Sequence, residues 1–385
     1  MTTLAPASDA TDTFDSLIEM ARREAGHGEE QRSLAPDVVA AAKRDGLFCL
    51  ALPARFGGLE RPPAEVVDVL ERVAHADGAA GWCGFIGNAT VFFGWLEPDV
   101  AAEALRAAPA VAAASIFGPM GRAAADGHGG YRVDGRWGFA SGCLHSEWTQ
   151  VGVMVMDGEA PAFRADGTGP DWRFAYVPTA DLEIVDTWDT LGLRGTGSND
   201  VVAHGVEVAA EMLAMPMFDA PRADDPVFQL GFWGMLPILM SPFLLGVARR
   251  ALDELAAVLV AEPERPGRAL LSRDPQVHHE LGRARAALLA ARALLDDAVD
   301  RSWTTVSAGQ PAGQEVHDDL ALALHHSLRV GLEVVDVAYR FAPSGAVRRG
   351  DVIQRCFRDL HTARKHIAFG LDGFRGPTRR ALGQA

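Results

Sequence analysis

The spacing of apolar residues changes twice along the chain, and the changes divide it into three parts. In residues 1–110, apolar side chains recur every three or four positions, which is the period of an amphipathic helix. The pattern predicts a helix around Phe14–Ala21, a second from the N-cap Ser33 to about Gly46, a third from Pro63 to His75, and two shorter pieces over 79–107. We therefore expect an N-terminal helical domain.

Residues 111–222 instead show the two-residue period of β-strands, with frequent glycine. Val151, Val153 and Val155 alternate with other residues, as they would on one face of a strand. Asp134-Gly135 separates two short runs and predicts a two-residue hairpin turn. The pattern indicates a small antiparallel β domain, a barrel or a sandwich.

Helical spacing returns in residues 223–385, and the predicted helices are long. The apolar run 228–236 predicts the first of them, with its aromatic side chains in the core. Pro275 is suited to the first turn of a second helix that continues to about Trp303. Further helices are predicted over about 314–341 and 349–369, so we expect an antiparallel four-helix bundle.

Composition and charge exclude several classes of function. A net charge of −15 argues against nucleic acid and anionic lipid as partners. No apolar run approaches the roughly 18 residues of a membrane span, and residues 1–12 lack the pattern of a secretory signal. The four cysteines have no paired spacing, which indicates reduced thiols. We expect a soluble cytoplasmic protein that binds neither nucleic acid nor membrane.

Three motifs, in this order, resemble the acyl-CoA dehydrogenase superfamily across nearly the whole chain. Residues 135–142 (GRWGFASG) are similar to the first flavin-contacting segment of that family, residues 188–200 (WDTLGLRGTGSND) to its second signature, and Arg358-Asp359 to its Arg-Asp pair near the flavin. The resemblance implies an acyl-CoA dehydrogenase fold, with an N-terminal α-helical domain, a middle antiparallel β-barrel domain and a C-terminal four-helix bundle. It also implies a homotetramer.

The residues after the Arg-Asp pair distinguish two branches of this superfamily. A dehydrogenase needs a carboxylate base for the α-proton of its thioester, but residues 360–369 (LHTARKHIAF) contain no acid. His361 and His366 instead resemble the C-terminal end of the two-component flavin monooxygenases, and residues 141–145 (SGCLH) are similar to their Ser-Gly-x-x-His string.

Membership of that branch implies a flavin-dependent monooxygenase that hydroxylates an aromatic or natural-product substrate through a flavin C4a-hydroperoxide. Such enzymes use molecular oxygen and reduced FMN or FAD, which a separate flavin reductase supplies. The chain has no GxGxxG nicotinamide fingerprint of its own. Many phenol hydroxylases of the branch carry a His after a Gly-Trp pair, but after Gly81-Trp82 this chain has GNAT at 87–90. The substrate could therefore be an amine, an indole or a polyketide intermediate.

The resemblance suggests roles for individual residues, each with a capping, turn or loop role as the structural alternative. His366 is the candidate hydrogen-bonding or acid–base group beside the hydroperoxide, because imidazole has an ordinary pKa of about 6.5. Ser141 is the candidate partner of flavin N5 and O4, and His145 of the substrate or the flavin. Thr196 and Ser198 suit flavin edges or phosphate. The other candidate cofactor contacts are Trp137, Gly142, Arg358 and Gln276, the last reaching the flavin of a neighbouring subunit.

A metal site and two other functions are the alternatives to a flavin monooxygenase. Adjacent histidines such as His278-His279 diverge on a helix, so no metal site is expected. A flavin oxidase or dehydrogenase of the same fold, acting on a non-thioester substrate, would differ in not incorporating oxygen. A non-catalytic relative that keeps the bundle as an assembly scaffold would bind no flavin.

Overall fold

The computed structural model describes residues 14–106, 111–262, 270–370 and 373–384. Helices α1–α5 are Asp15–Gln31, Pro36–Arg44, Pro63–Ala76, Gly78–Gly87 and Pro98–Arg106. Strands β1–β8 are Ala113–Ala125, Gly130–Trp137, Trp148–Asp157, Ala160–Pro161, Trp172–Pro178, Glu183–Val185, Asp200–Ala209 and Leu213–Ala214. Helices α6–α10 are Gly231–Val260, Pro275–Ser307, Gln314–Phe341, Val352–Ala363 and Arg375–Ala381. Helices, a sheet and helices follow one another in the predicted order. The segment 1–12, where no secretory signal was predicted, and the predicted domain end at residue 110 lie outside the described residues.

The first two helices follow the apolar pattern, but one cap differs from the prediction. Leu17, Ile18 and Ala21 are buried on one face of α1, as their spacing predicts. Helix α2 begins at Pro36 and not after Ser33, because proline has a backbone angle that suits the first helical turn and lacks the N–H that would be unpaired there. Gly46 then turns the chain with a φ of 76°.

Helix α4 lies at the centre of the molecule and is buried along its whole length. Asp77 caps it by accepting hydrogen bonds from the backbone N–H groups of Ala79 (3.3 Å) and Ala80 (3.2 Å). A Cβ at Gly81 would lie 2.5 Å from the Cα of Ala74 on α3, so glycine permits this close helix crossing. The region predicted as two helical pieces contains three, since a 3₁₀ segment, Asn88–Trp95, separates α4 from α5.

The sheet corrects two predictions about the middle of the chain. Its strand order is β6-β7-β2-β1-β3-β5-β8, with β4 beside β3, and β1 pairs with β3 in parallel. The sheet is therefore mixed and not antiparallel, because β2 returns the chain to the start of β1 and β3 then joins the other side of β1. Among the described residues the strand path is open, so it is not a closed barrel. Val151, Val153 and Val155 in β3 are buried as predicted, but residues 149–153 are all buried, so burial alternates only from Val153 to Met156.

The hairpin predicted at Asp134-Gly135 is wrong, because both residues lie within β2 at a register shift against β7. A Cβ at Gly135 would lie 2.7 Å from the Cα of Gly121, so this glycine permits a close strand approach. The chain reverses instead after Asp126, whose Oδ1 accepts hydrogen bonds from the N–H groups of His128 (2.6 Å) and Gly130 (3.0 Å). Gly127 and Gly129 supply the positive φ angles of 80° and 95° that this turn requires.

The described C-terminal part contains three long helices, α6–α8, and two short ones, α9 and α10. Helix α6 is long and apolar enough to cross a membrane, but 89% of its most apolar window is buried within the protein, as in a core helix. Phe228 and Phe232 are buried as predicted. Helix α9 has only twelve residues and ends at Ala363. His366 is therefore not on the last bundle helix, as the sequence had predicted, but in the turn that follows.

Candidate active site

Two loops at the end of the sheet form the framework of the candidate site. The loop after β2 (residues 138–147) is fastened to the loop before β7 (residues 186–199) by backbone hydrogen bonds, Ala140 N to Asn199 O at 3.0 Å and Gly142 N to Thr196 O at 3.3 Å. The Asn199 side-chain oxygen accepts from the backbone N–H groups of Thr187 and Trp188. The motifs at 135–142 and 188–200, which are 46 residues apart in sequence, are thereby joined into one surface.

Three of the predicted hydroxyl groups meet where these loops join. Ser141 Oγ lies 2.7 Å from Ser198 Oγ, which lies 2.6 Å from Thr196 Oγ1. Thr196 donates to the carbonyl of Leu193 at 2.8 Å. All three hydroxyl side chains are at least nine-tenths buried, so they form a continuous hydrogen-bonded row.

Trp82 of helix α4 connects this row to the helical part of the molecule. Its indole N–H donates to Ser141 Oγ at 3.0 Å, and its ring packs edge-on against the His366 imidazole with centroids 5.6 Å apart. His366 also contacts the rings of Phe117 (5.8 Å) and Phe85 (6.3 Å). Ser141 and His366, 225 residues apart in sequence, thus both contact a single indole ring.

The surroundings of His366 determine which of its two ring nitrogens carries the proton. Its Nδ1 accepts a hydrogen bond from the backbone N–H of Ala368 at 3.2 Å, so the proton of the neutral ring is on Nε2. Burial among aromatic rings lowers the pKa of His366 to about 4. The ring is therefore neutral near pH 7 and is a hydrogen-bond donor through Nε2, which favours the hydrogen-bonding role over the acid–base role.

Two of the rings that contact His366, Phe85 and Phe117, also line a small apolar cavity. Among its described lining residues Ser115 alone has a polar side chain, and the others are Phe85, Ile86, Ala89, Phe92, Phe117, Leu236 and Leu239. Ser115 donates to Gln150 Oε1 at 3.1 Å, and Gln150 Nε2 donates to the Ala89 carbonyl at 2.8 Å. Since the carbonyl accepts only, the amide orientation is fixed, and the Ser115 oxygen keeps a free lone pair.

The region where a phenol base would fall has a structural role. Asn88 donates to the carbonyls of Leu47 and Gly84 and accepts from the N–H of Leu50. Thr90 donates to the carbonyl of Phe48 at 2.9 Å. These side chains hold the chain around α4, and neither is a base.

His145 lies close to Gly142 and packs against the helical part of the molecule. Its ring stacks on Phe48, with centroids 5.3 Å apart and planes inclined by 25°. Burial, together with the nearby charge of Lys43, lowers the pKa of His145 to about 4. A Cβ at Gly142, where φ is 79°, would lie 3.3 Å from His145 Nε2, so glycine allows the two to approach. His145 is a neutral imidazole, and contact with a ligand stays a prediction.

The Arg-Asp pair on α9 anchors the second loop. Arg358 is ion-paired with Glu29 and donates to the carbonyl of Leu191 at 2.7 Å. Asp359 Oδ1 accepts from the backbone N–H of Leu193 at 2.6 Å. Burial raises the pKa of Asp359 to about 7. Because Arg358 is committed to these partners, its guanidinium supports the loop, and flavin binding by Arg358 stays a prediction.

Two of the predicted cofactor residues lie apart from this cluster. The Trp137 indole is fully buried within the sheet and donates to the carbonyl of Gly152 at 2.7 Å, so we expect it to stabilise the strand. Gln276 is exposed in the first turn of α7. A role for Gln276 in a neighbouring subunit's site stays a prediction.

Sequence reasoning missed Trp82, Ser115 and Asp359 as members of the site. Trp82 stands in the Gly-Trp pair and Asp359 in the Arg-Asp pair, so the motifs contained them, but nothing local gave them a partner. Ser115 has no sequence signal, since it is one small residue in a strand.

Comparison with known proteins identifies the family. The model of the "Acyl-CoA dehydrogenase, C-terminal domain" family matches residues 238–370. Indole-3-acetate monooxygenase of Pseudomonas putida is 33% identical over 371 residues, covering 95% of this chain and 92% of the relative. The chain belongs to the acyl-CoA dehydrogenase superfamily, in its branch of two-component flavin-dependent monooxygenases.

Other relatives of this monooxygenase agree. The flavin-dependent monooxygenase oxygenase subunit HsaA of Rhodococcus jostii (strain RHA1) is 27% identical, covering 92% of this chain and 93% of the relative. The crystal structure of 3-HSA hydroxylase from Rhodococcus sp. RHA1 superposes with a TM-score of 0.87 at 25% identity and 98% coverage of both chains. The monooxygenase is an oxidoreductase with an acyl-CoA dehydrogenase-like fold.

The residues present in the monooxygenase fit a flavin, a ring system with apolar faces and polar edges. The hydroxyl row offers polar partners for an edge. Apolar side chains are exposed around the same two loops, including Phe139 (74% exposed), Leu144 (48%) and Leu191 (64%). Gly197, with a φ of 56°, allows Leu144 of the first loop to pack against the second, since a Cβ there would lie 2.6 Å from Leu144.

Proposed function

We propose that this monooxygenase is the oxygenase component of a two-component system. It takes reduced FMN or FAD from a separate flavin reductase and hydroxylates a small aromatic substrate with molecular oxygen. The observation that carries the proposal is the Trp82 ring, which contacts both the Ser141 hydroxyl and the His366 imidazole, while two further rings that contact His366, Phe85 and Phe117, line an apolar cavity. A cofactor edge and a substrate ring then lie next to each other.

Bound reduced flavin would supply the chemistry, by combining with oxygen and transferring one oxygen atom to the substrate. Ser141 would hold its polar edge, and Ser198 and Thr196 would orient the Ser141 hydroxyl. His366 would donate its Nε2 proton as a hydrogen bond to the reacting oxygen, and its low pKa keeps this ring neutral. The aromatic rings around His366 would limit the access of water, which would otherwise release the oxygen as hydrogen peroxide.

The cavity is about 10 Å³ in this structure, so it must widen to admit a substrate ring, and its lining then favours a ring that carries one N–H or O–H group. Its walls are apolar except at Ser115, whose oxygen has a free lone pair and no free proton. A phenol requires a base before hydroxylation, and Asn88 and Thr90 are not bases. We therefore favour an indole-type substrate, whose ring N–H would donate to Ser115.

The HsaA relative is an oxygenase subunit, and this supports a separate reductase as the second component. We further propose a homotetramer in which Gln276 reaches a neighbouring site, and a cytoplasmic location. The four buried cysteines are all free thiols, which is compatible with a reducing compartment.

The test is an oxygen-labelling experiment with the purified protein, an unrelated flavin reductase, FMN or FAD, and a panel of indoles and phenols. We expect one atom of isotopically labelled oxygen in the product, detected by mass spectrometry. Substrate oxidation without the label would move the assignment to an oxidase or dehydrogenase. Absence of flavin binding in an anaerobic titration would leave the non-catalytic scaffold.

A further inference from the structure

The buried hydroxyl row has a defined proton direction. Thr196 Oγ1 lies 2.8 Å from the Leu193 carbonyl, and because a carbonyl only accepts, the proton between them belongs to Thr196. The Ser198 hydroxyl, 2.6 Å from Thr196 Oγ1, must then donate to Thr196. By the same reasoning Ser141, 2.7 Å away, donates to Ser198.

Both ends of the row are fixed by groups that cannot reverse. At one end the Trp82 indole can only donate, and it donates to Ser141 at 3.0 Å. At the other end Leu193 has a positive φ of 53°, its N–H donates to Asp359 at 2.6 Å, and its carbonyl also accepts from the Trp188 indole at 2.9 Å. The direction from Trp82 to Leu193 is therefore set by the fold.

A hydroxyl carries one proton and two lone pairs. In this row every proton is used, and one lone pair of each oxygen accepts from the preceding group. Ser141, Ser198 and Thr196 each keep one lone pair and no proton, so toward a ligand the row is an acceptor only.

An acceptor-only edge distinguishes the two redox states of a flavin. Oxidised flavin has an acceptor nitrogen at N5, whereas two-electron reduction protonates N5 and makes it an N–H donor. We infer that the directed hydroxyl row selects reduced over oxidised flavin, with Ser198 as the positioning residue that keeps Ser141 an acceptor. This inference rests on the proposed function, in which flavin binds beside Ser141.

The decisive variant is Ser198→Ala, which removes the acceptor of the Ser141 proton. Ser141 can then turn its proton toward a ligand, so oxidised flavin should bind more tightly and reduced flavin no better. We expect the ratio of the two dissociation constants to fall about five- to tenfold, the equivalent of one neutral hydrogen bond. Thr196→Ser is the matched control, because it keeps every hydroxyl, and its ratio should equal that of the wild type.

The measurement is anaerobic titration of the full-length protein with FMN and FAD, each oxidised and after reduction by dithionite, followed by flavin fluorescence and absorbance. Equal weakening of both redox states in Ser198→Ala would indicate a merely structural role and overturn the inference. A wild-type protein without preference for reduced flavin would also overturn it. Both results leave the proposed function standing, whereas a wild type that binds neither form refutes the proposed function itself.

Discussion

Asp359 provides the most direct test of how α9 supports the site. Its carboxylate is 4% exposed and accepts the Leu193 N–H. Burial, opposed by that hydrogen bond and reinforced by the charge of Asp77, raises the pKa of Asp359 from 3.8 to about 7. The folded protein thus binds this proton more tightly than the unfolded chain does.

The sign of the pH dependence follows from linkage. Between about pH 4 and pH 7 the folded state holds the proton and the unfolded state has lost it, so the free energy of unfolding falls as pH rises. A difference of about three pH units corresponds to about 4 kcal/mol. Asp359→Asn cannot ionise, and its side-chain oxygen can still accept from Leu193. The variant should therefore gain stability relative to wild type as pH rises, by up to about 4 kcal/mol at pH 8.

The assay is urea unfolding followed by tryptophan fluorescence at pH 5, 6, 7 and 8, comparing wild type with Asp359→Asn. Asp157→Asn, at the exposed end of β3, is the control and should shift stability by less than about 0.5 kcal/mol. A stability difference that stays constant with pH, or that favours wild type increasingly above pH 7, would refute the assignment of a buried, raised-pKa carboxyl at Asp359.

Three further predictions concern the site and its support. His366→Phe should lower the ratio of product to hydrogen peroxide at least about tenfold, because the Nε2 donor is lost. His366→Asn keeps an N–H donor and should lower this ratio less. Since the pKa of His366 is about 4, a step in the wild-type ratio near pH 6.5 would contradict its neutral state. Ser115→Ala should raise KM for an indole about two- to tenfold and leave that of its N-methyl analogue unchanged, as measured by steady-state kinetics. Gly192→Ala should cost about 1–3 kcal/mol in thermal unfolding, because its Cβ would overlap the Arg358 carbonyl, whereas Gly282→Ala on open helix surface should cost nothing.

Most of the element order could be predicted because helical and strand periods are local. The buried face of α1 and the buried valines of β3 need only the spacing of apolar residues. The hairpin was misplaced at Asp134-Gly135 because Asp-Gly suits a turn wherever the strands allow one. The close approach of Gly121 places this pair inside a strand, and no local rule contains that contact.

The candidate site shows the same division. Short motifs predicted Ser141, Thr196 and Ser198 as site residues. The absence of an acid in 360–369 favoured a monooxygenase over a thioester dehydrogenase. Nothing in the motifs indicated that Trp82 donates to Ser141, or that a turn and not a helix carries His366.

The sequence by itself therefore determined the order of elements, the loops that form the site and the branch of the superfamily, because each depends on residues close together in the chain. Only the tertiary structure decided the parallel pairing of β1 with β3, the neutral tautomer of His366, the raised pKa of Asp359 and the proton direction of the hydroxyl row. Strand partners, burial and proton positions are set by groups far apart in sequence, and they exist only once the chain has folded.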